Sequence, residues 1–129
     1  MKPKVLIVDD DAAIRQQLFW MLCDDYEVTT AGDLGSALRR AELDEPEVSI
    51  LDLHLPPLLD SPEVGLHVLA QLKAQRPSAK VFVVSSEDSI ETKRECFRRG
   101  ADGFLHKPLD VEQLIAVVRR SIAACPLAA

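Results

Sequence analysis

KVLIVDD, Lys4 to Asp10, decides the fold: four consecutive apolar residues run without alternation into two carboxylates. A strand apolar on every residue is covered on both faces, which marks a central strand of a parallel sheet. Working outward, Val81-Phe82-Val83-Val84 has the same character, whereas Glu27-Val28-Thr29-Thr30 alternates like an edge strand. Apolar β-branched runs alternate with helical stretches from end to end, and five repeated βα units fit. The strands are predicted at Lys4–Val8, Glu27–Thr30, Val48–Leu51, Lys80–Val84 and Gly103–His106.

The helices between them carry start and stop signals. Asp33 and Asp110 stand at N-cap positions, and Gln113 completes a capping-box pattern with Asp110. Arg98-Arg99-Gly100 closes the fourth helix, with cations in its last turn and a glycine for the left-handed residue beyond. Leu114, Ile115, Val117, Val118 and Ile122 give the last helix one buried stripe. Gly35 costs the second helix about 1 kcal/mol against alanine, so that helix is expected to start late or be less stable.

Composition sets the frame for function. The 129 residues, 47% of them apolar, suit one domain with one core. A formal charge of -6 argues against direct contact with nucleic acid or anionic lipid. Arg98 and Arg99 are read as a solvated helix face rather than a basic patch. No apolar run approaches the roughly 20 residues of a membrane span. Met1-Lys2-Pro3 leads straight into a strand instead of a signal peptide, so a cytoplasmic location is expected. Cys23, Cys96 and Cys125 match no metal-ligand spacing and read as buried or tail thiols.

In an open parallel sheet all strand ends point the same way, so Asp9, Asp10, Asp52 and Lys107 converge on one crevice. Three carboxylates packed together repel one another and raise at least one pKa unless a cation is present. Hard Mg²⁺ takes oxygen ligands, and Asp10 and Asp52 fit that demand, with Asp9 acting through a water and the His54 carbonyl completing the set. Asp52 opposite Lys107 can then act as nucleophile toward a phosphoryl group, giving an acyl phosphate that Lys107 pairs with. Ser85, directly after the fourth strand, reaches the same crevice and can donate to a phosphate oxygen. The Lys107-Pro108 peptide is read as more prone to the cis form than X-Pro bonds in general, because the lysine must turn back over the crevice.

The runs LIVDDD (Leu6–Asp11), ILDLHLP (Ile50–Pro56), VVSS (Val83–Ser86) and GADGFLHKP (Gly100–Pro108) together resemble the receiver domains of bacterial two-component response regulators. The resemblance covers nearly the whole chain. It implies a doubly wound, flavodoxin-like sheet of five parallel strands in the order 2-1-3-4-5, with helices on both faces. It implies Asp52 as phosphoacceptor, Asp9 and Asp10 as the acidic pair, Ser85 as the phosphate-sensing hydroxyl and Lys107 as the switch lysine. Phe104 falls at the aromatic switch position, where a ring moves inward when Ser85 is drawn to phosphate; read from the residues alone it is core. The implied cofactor is Mg²⁺, and the implied partners are a histidine kinase and an output domain or downstream protein. A homodimer on phosphorylation, through the fourth helix, fifth strand and fifth helix, is also implied. Such a domain is a switch that catalyses its own phosphotransfer and slow autodephosphorylation, not a turnover enzyme.

Two features depart from the pattern. Pro56 to Val64 is a longer, Pro-rich approach to Gly65, which leaves the start of the third helix undefined and suggests an inert insertion or a stiff protrusion near Asp52. His54 stands where the family tunes loss of the phosphate; it either hydrogen-bonds the attacking water or lines the crevice mouth. His106 and His67 read as packing or surface residues, and no zinc spacing links the three histidines. A docking module that is never phosphorylated is the main alternative, against which every pocket residue is retained. A Mg²⁺-dependent phosphohydrolase would need an aspartate where His54 stands. Residues 1–124 are expected to form the domain. Residues 125–129 fit a linker toward an output domain or the end of a single-domain regulator, with the linker favoured.

Overall fold

A computed structural model describes residues 2–87 and 89–123. The expected tail at residues 125–129, and Cys125 with it, lies outside them. Five strands alternate with five helices: β1 Lys4–Val8, α1 Ala12–Leu22, β2 Glu27–Ala31, α2 Leu34–Asp44, β3 Val48–Asp52, α3 Glu63–Gln75, β4 Lys80–Ser85, α4 Ile90–Arg98, β5 Gly103–His106 and α5 Val111–Ala123. All pairings are parallel and the order is β2-β1-β3-β4-β5, as expected.

Two cores sandwich the sheet. Leu6, Val8, Leu51, Val81 and Val83 point toward α2, α3 and α4, where Ala37, Leu69 and Cys96 meet them. Val5, Ile7, Ile50, Phe82 and Val84 point the other way, toward Leu18 and Leu22 of α1 and Leu114 and Val118 of α5. Both central runs read from the sequence are buried to their last residue, while β2 is exposed at its start and half-buried through its middle. Apolar residues on both faces of a strand are therefore used on both faces.

Caps fix the helix starts. The Asp33 carboxylate accepts from the Ser36 amide (2.8 Å) and hydroxyl (2.7 Å), and Asp110 accepts from the amides of Glu112 and Gln113. Contrary to the expectation from Gly35, α2 does not start late: it begins at Leu34, held by that double bond to Asp33. Gly100, at φ +105, follows α4 as read. Arg98 and Arg99 both pair with Glu95, Arg99 at 2.7 Å, so no basic patch forms there. The start of α3, open in the sequence, is Glu63, with Pro62 at its N-cap. No helix among the described residues is long and apolar enough to cross a membrane.

Candidate phosphoryl and metal site

Each strand-end residue arrives at the same rim. Asp9 follows β1 and Asp52 ends β3; both are buried, at 4% and 6% exposure. Lys107, just beyond β5, places Nζ 3.1 Å from Asp9 Oδ2 and 3.1 Å from Asp52 Oδ2. Its backbone amide donates to the Ser85 carbonyl at 3.0 Å, which carries the β4–β5 pairing one step past the strand and aims the lysine inward. The Lys107-Pro108 peptide is cis, in the direction of the bias read from the sequence, and Pro56-Pro57 is cis too.

The remaining carboxylate oxygens are held by backbone. Asp9 Oδ1 accepts from the Asp11 amide (2.9 Å) and Asp52 Oδ1 from the His54 amide (3.0 Å). Burial pushes the Asp9 pKa above the ordinary carboxylate value; the Asp11 amide pulls it back, and the neighbouring Asp52 charge adds to the rise. Burial works to lower the Lys107 pKa, but the Asp52 and Asp9 charges and their hydrogen bonds outweigh it, so the net shift is upward. The raised carboxylate expected from the sequence is Asp9, with burial as the main cause and the Asp52 charge a lesser one, and Lys107 is the internal counter-charge.

Asp10 is exposed at the crevice mouth. One carboxylate oxygen from each of Asp9, Asp10 and Asp52 lies within 4.8 Å of the others. An all-oxygen, doubly buried and singly exposed donor set suits a hard divalent ion that keeps part of its water shell, so these residues fit Mg²⁺. Phe104 is half-buried against the α2-α3-α4 core, with Lys93 Nζ 5.4 Å above its ring and the His106 ring edge-on at 5.3 Å. His67 is exposed on α3, and His106 is exposed, as read.

Ser85 is fully buried, and its hydroxyl accepts from the Glu87 amide at 3.0 Å. Glu87 was not singled out in the sequence, yet its carboxylate is a hub: Oε2 lies 3.2 Å from His54 Nε2 and Oε1 accepts from Thr92 Oγ1 at 2.9 Å. His54 Nδ1 meets the Leu59 carbonyl at 2.8 Å. His54 and Glu87 each stand two residues past a strand-end site residue, a parity that offered a signal. Arg15 was also missed; its Nη1 donates to the Asp9 carbonyl at 2.6 Å. Nothing in the spacing between α1 and β1 announces that contact.

The model of the response regulator receiver domain matches residues 5–119. The chain belongs to that family. Among relatives, it is 35% identical over 118 residues to the transcriptional regulatory protein PrrA of Mycobacterium tuberculosis, covering 91% of this chain and 48% of PrrA. It is 30% identical over 116 residues to the probable transcriptional regulatory protein TcrX of the same organism, covering 89% of this chain and 47% of TcrX. The chain therefore spans about half the length of these curated relatives. Among solved structures, the CheY-like receiver protein of Methanospirillum hungatei superposes at TM-score 0.90 with 25% identity over the whole of both chains. The receiver domain of NtrX from Brucella abortus gives TM-score 0.81 with 35% identity over 93% of this chain and 98% of that one. Receiver domains are phosphorylation-controlled signalling switches of two-component systems, and the flavodoxin-like sheet with its acidic strand-end pocket is the form they take.

Proposed function

We propose that this receiver domain accepts a phosphoryl group on Asp52 from a histidine kinase and passes the change to an output domain or downstream protein. The observation that carries the assignment is the placement of Asp52: a buried carboxylate ending a central strand, with one oxygen on Lys107 and two further aspartates within reach. In the transfer, an Asp52 oxygen forms the new bond to phosphorus while the bond from phosphorus to the donor's nitrogen breaks. Asp9, Asp10, Asp52 and the His54 carbonyl would hold Mg²⁺, which when bound offsets the charge on the phosphoryl oxygens. Lys107 gives up its bond to Asp52 and pairs with the new phosphate as a point charge.

The Ser85 hydroxyl, now accepting from Glu87, turns to donate to a phosphate oxygen, and the Phe104 ring follows it inward. That movement biases the α4-β5-α5 face, on which a phosphorylation-dependent homodimer forms. Slow autodephosphorylation returns the domain to rest. Residues 1–124 constitute the receiver, acting in the cytoplasm, making no contact of its own with nucleic acid or membrane. A docking module that is never phosphorylated would not need this complete pocket, and no observation favours it.

The test is labelling with Mg²⁺ and phosphoramidate, read by intact mass, of the chain and of Asp52→Asn. We expect one added phosphoryl group on the parent and none on the variant; equal labelling removes Asp52 as acceptor.

A further inference from the structure

β2 is an outer strand of the sheet, and its free edge carries none of the devices that keep such an edge from pairing with another chain. Glu27-Val28-Thr29-Thr30-Ala31 contains no proline, lysine or glycine, and it runs in one-to-one register with β1, without a bulge. The Glu27 amide donates to the Pro3 carbonyl and the Ala31 carbonyl accepts from the Asp9 amide, so both turn toward β1. At the two-residue period of a strand, the N–H and C=O groups of Val28 and Thr30 therefore point outward, where no strand meets them among the described residues.

A large apolar side chain flanks this edge on each face of the sheet. Trp20 of α1 is 66% exposed and borders a crevice with Thr30; Leu43 of α2 is 67% exposed and borders another with Thr30 and Ala31. Neither belongs to either core. Exposed apolar residues are ordinary when scattered, but these two bracket an unpaired strand edge.

Charge selects what covers it. Asp24, Asp25 and Glu27 are exposed at the start of the strand, whereas Arg15, Arg39 and Arg40 border the crevice at its end. Lys2 at the first end, and Asp33 and Asp44 at the second, reduce the contrast without reversing it. An edge negative at one end and positive at the other is complementary to its own copy laid antiparallel.

We propose that β2 pairs with β2 of a second copy of this chain, antiparallel about a two-fold axis at Thr29, so that one sheet runs through two molecules. Val28 then exchanges N–H···O bonds with the partner's Thr30, Thr30 does so with the partner's Val28, and Thr29 faces the partner's Thr29. Glu27 comes opposite the partner's Ala31, beside its arginines. The axis stands perpendicular to the sheet, so α1 lies by α1 and α2 by α2, and Trp20 and Leu43 each approach their own copy, as an isologous contact requires. A single short strand with two flanking side chains makes a small interface, so the pairing belongs to the upper micromolar to millimolar range. It needs no phosphorylation of Asp52 and leaves the α4-β5-α5 face, at the other edge of the sheet, free.

Spectra of the ¹⁵N-labelled full chain in Mg²⁺-free buffer, from about 50 µM to about 1 mM, span the dissociation constants of weak pairs. The amides of Val28, Thr29 and Thr30 should shift along one dimerisation isotherm as the rotational correlation time rises, with Phe97 and Phe104 unmoved. Thr29→Lys sets two ammonium groups face to face on the axis and should abolish the isotherm. Should that variant fail to fold, two surface charges keep the test open. Glu27→Arg should weaken the pairing by roughly two- to fivefold per contact, the range of an exposed ion pair. Glu27→Arg combined with Arg39→Glu should restore it, which a strand merely loosened by substitution would not do. No concentration dependence over that range, an isotherm carried by other amides, undiminished pairing in Thr29→Lys, or no rescue by the charge swap each overturns the proposal.

Discussion

His54 ties two loops together across the mouth of the proposed phosphoryl site. Its ring meets the Leu59 carbonyl in the Pro-rich segment and the Glu87 carboxylate beyond β4, so it is a strut as well as a lining residue. On the proposed function, a ring held there would limit the approach of water to Asp52. His54→Ala should shorten the acyl-phosphate lifetime by roughly fivefold, the effect of about 1 kcal/mol on a barrier; an unchanged decay of labelled protein takes the ring out of the mechanism. Cys96 makes a separate prediction. Burial first, then the charges of Glu87 and Glu95, push its thiol up to about 11. Because the folded value lies above the ordinary value of 9.0, the associated stability is intact below pH 9 and is lost as pH rises through about 11. Native protein treated with iodoacetamide at pH 8 should therefore be labelled at Cys23, which is partly exposed, and spared at Cys96 until urea unfolds it. Peptide mapping reads both sites; equal rates would mean that α4 opens locally. At this scale the sequence was legible wherever topology alone sets position: Asp9, Asp52, Ser85 and Lys107 follow from strand ends. The partners of His54 and Arg15 were not, because loop paths and long side chains chose them.

Among elements, α3 is seated by a glycine. A Cβ on Gly65 would lie 2.2 Å from the Leu53 Cα and 2.4 Å from its carbonyl oxygen, both backbone atoms that cannot rotate away. The Gly65 amide in turn donates to that carbonyl at 3.1 Å, which fastens the first turn of α3 just past the end of β3. Gly65→Ala should cost about 3 kcal/mol, the upper part of the overpacking range, because helix and strand must separate. Gly35 is the opposite case. Its added Cβ would meet nothing nearer than Asp33 Oδ1 at 3.9 Å, so Gly35→Ala in α2 should gain about 0.5–1 kcal/mol from helix propensity. Urea unfolding of the two variants beside the parent should move the midpoints in opposite directions, and a stabilising Gly65→Ala would refute the seating role. The five strand starts, and the caps Asp33 and Asp110, were readable because local chemistry decides them. The start of α3 was not: a run of prolines constrains backbone angles without saying which turn begins the helix, and it is the contact with Leu53 that decides. Asp11 and Ser89, which cap α1 and α4, carried the same signal as Asp33 and were passed over.

For the whole molecule, strand order and two-sided coverage were legible because parallel βα units leave few topologies. The use of its surfaces was not, since a partner leaves no periodicity in this chain. One face nonetheless has a physical argument. Ile90, Lys93 and Phe97 fall on one stripe of α4 at helical spacing, with Ile90 66% and Phe97 48% exposed, and Lys93 reaches across to the Phe104 ring on β5. Val111 at the start of α5 is also exposed, so apolar side chains are distributed over α4 and α5 beside the proposed switch. In the proposed switch, inward movement of Phe104 would take the ring from beneath Lys93, which stands between the two exposed apolar residues. On the proposed function this stripe is the surface where a homodimer would form, and an isologous interface would use the same stripe on both copies. Sedimentation velocity with Mg²⁺ and beryllofluoride should accordingly convert monomer to dimer in a concentration-dependent way. Phe97→Glu should stay monomeric while taking up phosphoryl label on Asp52 at the parental rate, because its side chain lies on the exposed stripe and outside the pocket. A parent that remains monomeric when fully activated assigns the face to another partner, and a Phe97→Glu variant that dimerises normally moves the interface off α4.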